Sequence, residues 1–101
     1  MSHVAVVAKI TALSGQRDQL VTALQVALDT AQGEPGTLKY ILHTDAGNDD
    51  ALWFYELYEE SEALAAHSGS DAFKALGPVL APYVAGRPEL TMLNPVGGKG
   101  I

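Results

Sequence analysis

The spacing of apolar residues changes several times along the chain, and each change predicts a new element. Residues 3–12 carry valine, isoleucine and alanine at both odd and even positions, the pattern of a strand covered on both faces. Residues 16–32 instead carry leucine and alanine at spacings of three and four, which predicts an amphipathic helix. We expect Ser14 to cap the start of this helix and the Gly-Glu-Pro-Gly segment at residues 33–36 to end it.

A hairpin is predicted after this helix. Residues 37–45 form an alternating run, and residues 51–59 form a second run that is dense in aromatic side chains. The segment at residues 46–50, Ala-Gly-Asn-Asp-Asp, lies between them and is typical of a hairpin with a longer loop. The two runs are therefore expected to be adjacent antiparallel strands.

The last third of the chain predicts a broken helical region and a final strand. Ser61 is placed to cap a short helix that ends at His67, and Ser70 is placed to cap a second helix. A glycine-proline pair interrupts that second helix. Residues 84–94 are expected to form a fourth strand, and residues 95–101 a flexible or partner-covered tail.

Together these elements predict a single domain over residues 1–101, with a core of about residues 3–94. Their order, β-α-β-β-α-β, is that of the ferredoxin-like α+β fold, an antiparallel sheet with helices on one face. The strands are apolar on both faces, so the face without helices needs a cover of its own. We expect a homodimer in which two copies pack sheet to sheet.

Composition excludes several classes of function. The net charge of −6 argues against binding to nucleic acid or to an anionic membrane surface, both of which need basic patches. The chain has no cysteine, which excludes disulfides, thiolate nucleophiles and iron–sulfur clusters. The N-terminal apolar run lacks a basic flank and is too short to span a membrane, so we expect a cytoplasmic protein.

His67 is the strongest candidate for chemistry because it lies between an aromatic-rich strand and Phe73. Imidazole ordinarily titrates near neutral pH and can serve as a general acid or base. His67 shares a helical face with Ala63 and Leu64, which directs it towards the sheet. The alternative is a core histidine whose hydrogen bond fixes the helix to the sheet.

Glu56 is the second catalytic candidate. It lies in the middle of an apolar strand, where a buried carboxyl must be paired or protonated. It would orient the histidine or a substrate hydroxyl. The alternative, which the residues alone favour, is a hydrogen bond that anchors a helix or a dimer interface.

Aromatic side chains on the sheet are candidates to hold a flat ring. The candidate substrate-binding residues are Tyr40, Trp53, Tyr58, Phe73 and Asn94. Each aromatic among them has ordinary core or interface packing as its alternative. In the third strand, Trp53 and Tyr55 point to one face and Glu56 and Tyr58 to the other, and parity alone does not decide which face meets the helices.

No metal or cofactor site is expected. His43 lies on a strand, while Asp45, Asp49 and Asp50 lie in a turn without the spacing of metal ligands. Solvated turn side chains explain them better. The terminal Gly-Gly-Lys-Gly segment lacks the flanking strand and helix of a phosphate-binding loop.

Several short motifs occur here in a fixed order. Ser14-Gly15-Gln16 precedes the first helix, and Glu34-Pro35-Gly36-Thr37 leads to Tyr40. An aromatic-x-x-Glu-x-aromatic strand comes next. Its motif residues and those that follow them are Trp53, Glu56, Tyr58, Ala63, Leu64, His67 and Phe73. With this order over residues 3–94, the chain resembles the antibiotic biosynthesis monooxygenase (ABM) domains of the dimeric α+β barrel superfamily.

The resemblance implies a small cofactor-free monooxygenase that oxidises quinols, anthrones or related phenolic polycyclic aromatics with molecular oxygen. Haem-degrading members of the family place an asparagine on the first strand, which residues 4–8 lack, so haem is discounted. Only His67 is carried over as a site residue. Two alternatives stay open: an isomerase or tautomerase of a small carbonyl compound, and a non-catalytic ligand-binding dimer.

Overall fold

The computed structural model describes residues 2–101 and has the predicted ferredoxin-like α+β architecture. Its elements are β1 (Val4–Thr11), α1 (Arg17–Gln32), β2 (Thr37–Thr44), β3 (Ala51–Tyr58), α2 (Ser61–Gly69), α3 (Asp71–Lys74), α4 (Leu76–Leu80) and β4 (Glu89–Leu93). The four strands form one antiparallel sheet in the order β2-β3-β1-β4. The helical region after β3 is broken into three pieces, as predicted.

The core lies between α1 and one face of the sheet. The apolar stripe of α1 is buried at the predicted spacing through Leu20, Leu24, Ala27 and Ala31. From the sheet it meets the side chains of Ala8, Ile10, Leu52 and Phe54. Each fully buried leucine contributes about 1.5–3 kcal/mol, so this layer holds the sheet and helix together.

Two of the three predicted helix caps are wrong. Gln16, not Ser14, is the cap of α1, because Gly15 turns the chain with a φ of 77° and leaves Ser14 outside the first turn. Glu60, not Ser61, precedes α2, and its carbonyl accepts the N–H of Ala63 at 3.1 Å. Neither Gln16 nor Glu60 makes a capping hydrogen bond through its side chain. The third cap, at α3, is confirmed: Ser70 Oγ accepts the N–H of Phe73 at 3.1 Å.

The predicted hairpin between β2 and β3 is confirmed, and its turn is held by Asp45. One carboxylate oxygen accepts the N–H groups of Gly47 and Asn48 at 2.8 and 3.1 Å. The other accepts the indole N–H of Trp53 at 2.7 Å. The hydrogen bond from Trp53, followed by that from Gly47, lowers the pKa of Asp45. This acid therefore organises the turn.

The fourth strand is shorter than the predicted residues 84–94. Val84 makes only an isolated bridge with Ala12, and regular pairing with β1 begins at Glu89. The intervening segment contains Gly86 at a φ of 158° and Pro88, which has no N–H to donate to a ladder. Residues 94–101 form neither helix nor strand. Among the described residues, no helix is both long and apolar enough to cross a membrane.

The structure decides which face of β3 meets the helices. Phe54 packs in the core against α1, and Glu56 and Tyr58 share its parity. All three side chains are buried. Trp53 and Tyr55 lie on the opposite face, where they are only half-buried and where Lys9 Nζ lies 5.5 Å from the centre of the Trp53 ring.

Helix α2 is held against the start of β2 by a contact that only glycine permits. A Cβ atom built on Gly36 would lie 2.5 Å from the Cβ of Ala63. The carbonyl of Gly36 also accepts the N–H of Glu59, just before α2, at 2.9 Å. The missing side chain therefore sets how closely α2 approaches the turn between α1 and β2.

Gly36→Ala is expected to lower the free energy of unfolding by about 1–3 kcal/mol, because α2 must shift to relieve the overlap. Urea denaturation measures this change. Gly69→Ala is the matched control, since its Cβ would meet no atom within 4 Å. Ala63→Gly alone costs about 1 kcal/mol of helix propensity. The double variant should lose less than the sum of the two single losses, and strict additivity would contradict the proposed contact.

Candidate active site

A cleft of about 450 Å³ opens between the helix-bearing face of the sheet and the helices that follow β3. Most of its lining is apolar and comes from β1, the helices and β4, including Val6, Ala8, Leu64, Leu76, Leu90 and Met92. Leu90 and Met92 are more than half exposed, so the β4 side is open to solvent. Such a cleft suits the body of an apolar ligand.

Polar side chains also line this cleft, Ser68 and Arg87 among them. Tyr40 from β2, Glu56 from β3 and His67 from α2 all contribute to it. Tyr40 and Glu56 are partners in the β2–β3 ladder, and the Tyr40 ring lies 5.1 Å from the His67 ring. Three separate elements therefore bring their polar groups together, and the rest of the cleft is mainly apolar.

His67 is the only buried residue of α2. Aromatic rings surround it: those of Tyr40, Tyr58 and Phe73 have their centres 5.1, 5.5 and 5.2 Å from the imidazole centre. The Nδ1 atom lies 2.8 Å from Oε1 of Glu34. The Nε2 atom is buried and has no hydrogen-bond partner among the described residues. Leaving such a nitrogen unsatisfied costs about 1–3 kcal/mol, which a bound ligand would recover.

Glu56 is held by its strand neighbour. The hydroxyl of Tyr58, two residues along on the same face, donates to Oε1 of Glu56 at 2.5 Å. Burial raises the pKa of Glu56, although this hydrogen bond and the nearby charge of His67 both oppose the rise. Among the described residues, the hydrogen bond found for the Glu56 carboxyl is therefore to a side chain of its own strand.

The two tyrosines beside Glu56 stay protonated at neutral pH. Burial raises the pKa of Tyr58, and the hydrogen bond to Glu56 raises it further. Burial also raises the pKa of Tyr40, with the charges of Glu56 and Glu34 adding to the effect. Each phenol is therefore a hydrogen-bond donor near His67, not an anion.

The structure brings together most of the residues proposed from the sequence. His67, Glu56, Tyr40 and Phe73 line the cleft, and Tyr58 contacts it through Glu56. Two proposed substrate-binding residues, Trp53 and Asn94, do not lie there. Trp53 is on the opposite sheet face, bonded to Asp45, and Asn94 is exposed beyond the end of β4.

Sequence reasoning missed Glu34 as a site residue. It precedes Pro35 in the turn between α1 and β2, 33 residues before its partner His67. Its carboxylate also accepts the hydroxyl of Thr37 at 2.9 Å. The available signal was an acidic residue inside the turn motif that precedes Tyr40. Among residues 2–101, no group of three or more histidine, aspartate or glutamate side chains could hold a metal ion.

Comparison with known proteins identifies a matching family model and solved structures that are similar to this chain. Residues 3–77 match the family model described as antibiotic biosynthesis monooxygenase. A Caulobacter crescentus protein described as a "putative antibiotic biosynthesis monooxygenase" is 30% identical, with 95% of this chain and 92% of that chain covered and a TM-score of 0.86. One from Chloroflexus aurantiacus is 29% identical, with 99% of both chains covered and a TM-score of 0.81.

A more distant likeness shows the fold alone. Rv0793 from Mycobacterium tuberculosis is 24% identical, with 98% of this chain and 100% of that chain covered and a TM-score of 0.87. No curated protein matches the sequence. The solved structures thus share this fold over nearly the whole chain.

Glu56→Gln is expected to stabilise the protein at neutral pH. Burial raises the folded-state pKa of Glu56 above its ordinary 4.5, so the proton is held more tightly in the folded state. The stability that this group contributes is present at low pH and is lost as pH rises through that raised pKa. Removing the charge should therefore raise the free energy of unfolding at pH 7 and change it little at pH 4.

Urea denaturation at the two pH values measures this difference. The control is Glu89→Gln, which removes an exposed carboxylate opposite Lys9 in the β1–β4 ladder and should not stabilise. A Glu56→Gln protein that is less stable at both pH values would contradict the expected cost of burying this carboxylate.

Proposed function

Because this chain belongs to the antibiotic biosynthesis monooxygenase family, we propose that it is a cofactor-independent monooxygenase of a quinol-like or phenolic polycyclic aromatic. The observation that carries the proposal is the buried, unpartnered Nε2 of His67 in the lining of an apolar cleft. That nitrogen is free to take a proton from a bound ligand. In this proposal the electron donor is the substrate itself.

The proposed reaction begins with proton transfer. Nε2 of His67 takes the acidic proton of an anthrone or quinol, and the resulting anion gives one electron to molecular oxygen. The two radicals then combine into a peroxide at carbon. For an anthrone, that peroxide loses water, so one oxygen atom enters the ring as a carbonyl and the other leaves as water. His67 returns its proton to the departing oxygen.

The cleft supplies the other requirements of this chemistry. Apolar walls exclude water from the anion, which lowers the chance of simple reprotonation. Phe54 and Tyr40 lie with ring centres 4.6 Å apart on the floor of the cleft and offer aromatic contact to a flat substrate. We expect the protonated Tyr40 to donate to a substrate oxygen and the Glu56 carboxylate to accept from a substrate hydroxyl beside His67.

The same nitrogen supports a second candidate, an isomerase or tautomerase. Such an enzyme would move a proton within a small carbonyl compound and would consume no oxygen. The size of the apolar cleft favours a larger ring system over a small carbonyl compound. A non-catalytic ligand-binding dimer would bind the same molecules without turnover.

We also propose that a second copy of the chain covers the sheet face opposite the helices. Trp53, Tyr55 and Val7 are half-buried there, while Ile41 and Leu93 are 45% and 41% exposed. Side chains of this size rarely remain in water together on one sheet face. Sheet-to-sheet packing of two copies would bury them symmetrically.

His67→Asn should lower oxygen uptake with anthrone or 1,4-naphthoquinol by about 100-fold or more, because a positioned base contributes about 10²–10⁴-fold. An oxygen electrode measures the rate above autoxidation, with metals chelated. His43→Asn is the matched control, since His43 is exposed on the opposite face of the sheet and its Nδ1 contacts only the carbonyl of Trp53.

Uptake that is equal in the His67 and His43 variants would remove His67 from the mechanism. Wild-type protein that binds the quinols but consumes no oxygen would reject the monooxygenase. Exchange of solvent protons into a small carbonyl compound, with no oxygen uptake, would then favour the isomerase.

The protein should sediment at about twice its 10.6 kDa chain mass. Tyr55→Glu, which places a charge in the proposed interface, should shift the equilibrium towards monomer. Val26→Glu is the control, because Val26 is 49% exposed on α1, away from the sheet. A wild-type monomer at micromolar concentration would contradict the proposed dimer.

A further inference from the structure

We propose that Glu34 is a positioning residue that fixes which nitrogen of His67 acts as the base. The inference rests on the proposed function for its catalytic consequence, but its structural content can be tested without any turnover. Glu34 lies in the turn between α1 and β2, and no part of it lines the apolar cleft. It would therefore act through His67 and not on the substrate.

The hydrogen bond between the two residues determines where the imidazole carries its proton. An ionised carboxylate only accepts hydrogen bonds, so Nδ1, 2.8 Å from Oε1 of Glu34, must be the protonated nitrogen. In the neutral ring the lone pair is then on Nε2, the buried atom without a partner. Without Glu34, the proton would be free to occupy Nε2 and block the base.

Glu34 is itself held in place. The hydroxyl of Thr37 donates to the same Oε1 atom at 2.9 Å, and Thr37 is the first residue of β2. That hydrogen bond uses the hydroxyl proton, which leaves the carboxylate as the acceptor of the Nδ1 proton. The Glu34 side chain is 21% exposed and the His67 side chain 6% exposed, so the acid is the member of the pair that reaches solvent.

The backbone around Glu34 sets the distance between the two side chains. Gly36 lets Ala63 of α2 approach the same turn closely, and His67 is one helical turn further along α2. The contact and the hydrogen bond thus join the same two segments. This arrangement explains why an acid from a turn reaches a histidine in the middle of a helix.

A role in orientation makes a different prediction from a role in stability alone. A carboxylate that only anchors α2 to the turn would affect unfolding and leave the kcat of the folded protein unchanged. A positioning residue changes the tautomer of a protein that is still folded. Its loss should lower kcat more than it raises KM, because it weakens the base and leaves the apolar cleft intact.

The experiment compares wild type, Glu34→Ala, Glu34→Gln and Thr37→Val by long-range ¹H–¹⁵N spectra of the imidazole rings at a pH where they are neutral. Wild type should show His67 protonated at Nδ1, and Glu34→Ala should shift the proton towards Nε2. Glu34→Gln should retain Nδ1–H, because its amide oxygen still accepts that hydrogen bond. Thr37→Val keeps the Glu34 carboxylate but removes the hydroxyl that holds it in place. Its spectrum should lie between those of wild type and Glu34→Ala. The other two histidines, His3 and His43, are internal references that should not change.

Oxygen uptake with anthrone provides the second measurement. Glu34→Ala should lower kcat by about 10- to 100-fold with KM within about threefold, and Glu34→Gln should recover part of that loss. A folded Glu34→Ala protein that keeps Nδ1–H, or keeps full kcat, would overturn the proposal. If wild type consumes no oxygen, the proposed function fails, while the spectra still decide whether Glu34 sets the tautomer.

Discussion

A histidine buried among aromatic rings needs one fixed hydrogen bond, and the rest of the site depends on how that bond is made. Glu34 accepts the hydrogen bond at Nδ1 of His67, and Nε2 is the one buried side-chain polar atom of the described residues without a hydrogen-bond partner. Had the partner been a backbone carbonyl within α2, the ring would have been fixed by its own helix. Because it comes from the turn before β2, the orientation of the ring depends on how α2 packs against the sheet.

The site carries a cost in stability that the core must offset. An unsatisfied Nε2 costs about 1–3 kcal/mol, and the buried carboxyl of Glu56 has a raised pKa, so its ionised form opposes folding at neutral pH. The α1 layer, with Leu20 and Leu24 fully packed against β1 and β3, supplies the offsetting burial. Polar groups kept at such a cost, side by side in one cleft, are typical of sites that bind or transform a ligand.

The fold could be predicted almost entirely from the sequence, because hydrophobic period is a local property. The apolar run of residues 3–12 predicted β1, the spacing of three and four predicted α1, and two strand-like runs around a polar turn predicted the hairpin, each within a residue or two. The ends were less predictable: Ser14 and Ser61 have the right chemistry for caps, but Gly15 and the extended backbone at Glu60 place them elsewhere. For the site, His67 and Glu56 followed from residue type, whereas Trp53 was proposed because parity cannot tell which sheet face meets the helices. Glu34 was missed because it lies in a turn and contacts a residue 33 positions away. Such a contact produces no periodic pattern in the sequence.

The two faces of the sheet contribute differently to the core and to the cleft. The side of β3 that carries Phe54, Glu56 and Tyr58 provides both core and cleft, so one set of alternate residues must pack the domain and also line its site. The other side, with Trp53 and Tyr55, lies outside the cleft. A substitution on that second face therefore leaves the residues that surround His67 unchanged. A change at Phe54 on the first face would instead alter the core and the cleft together, because this ring belongs to both.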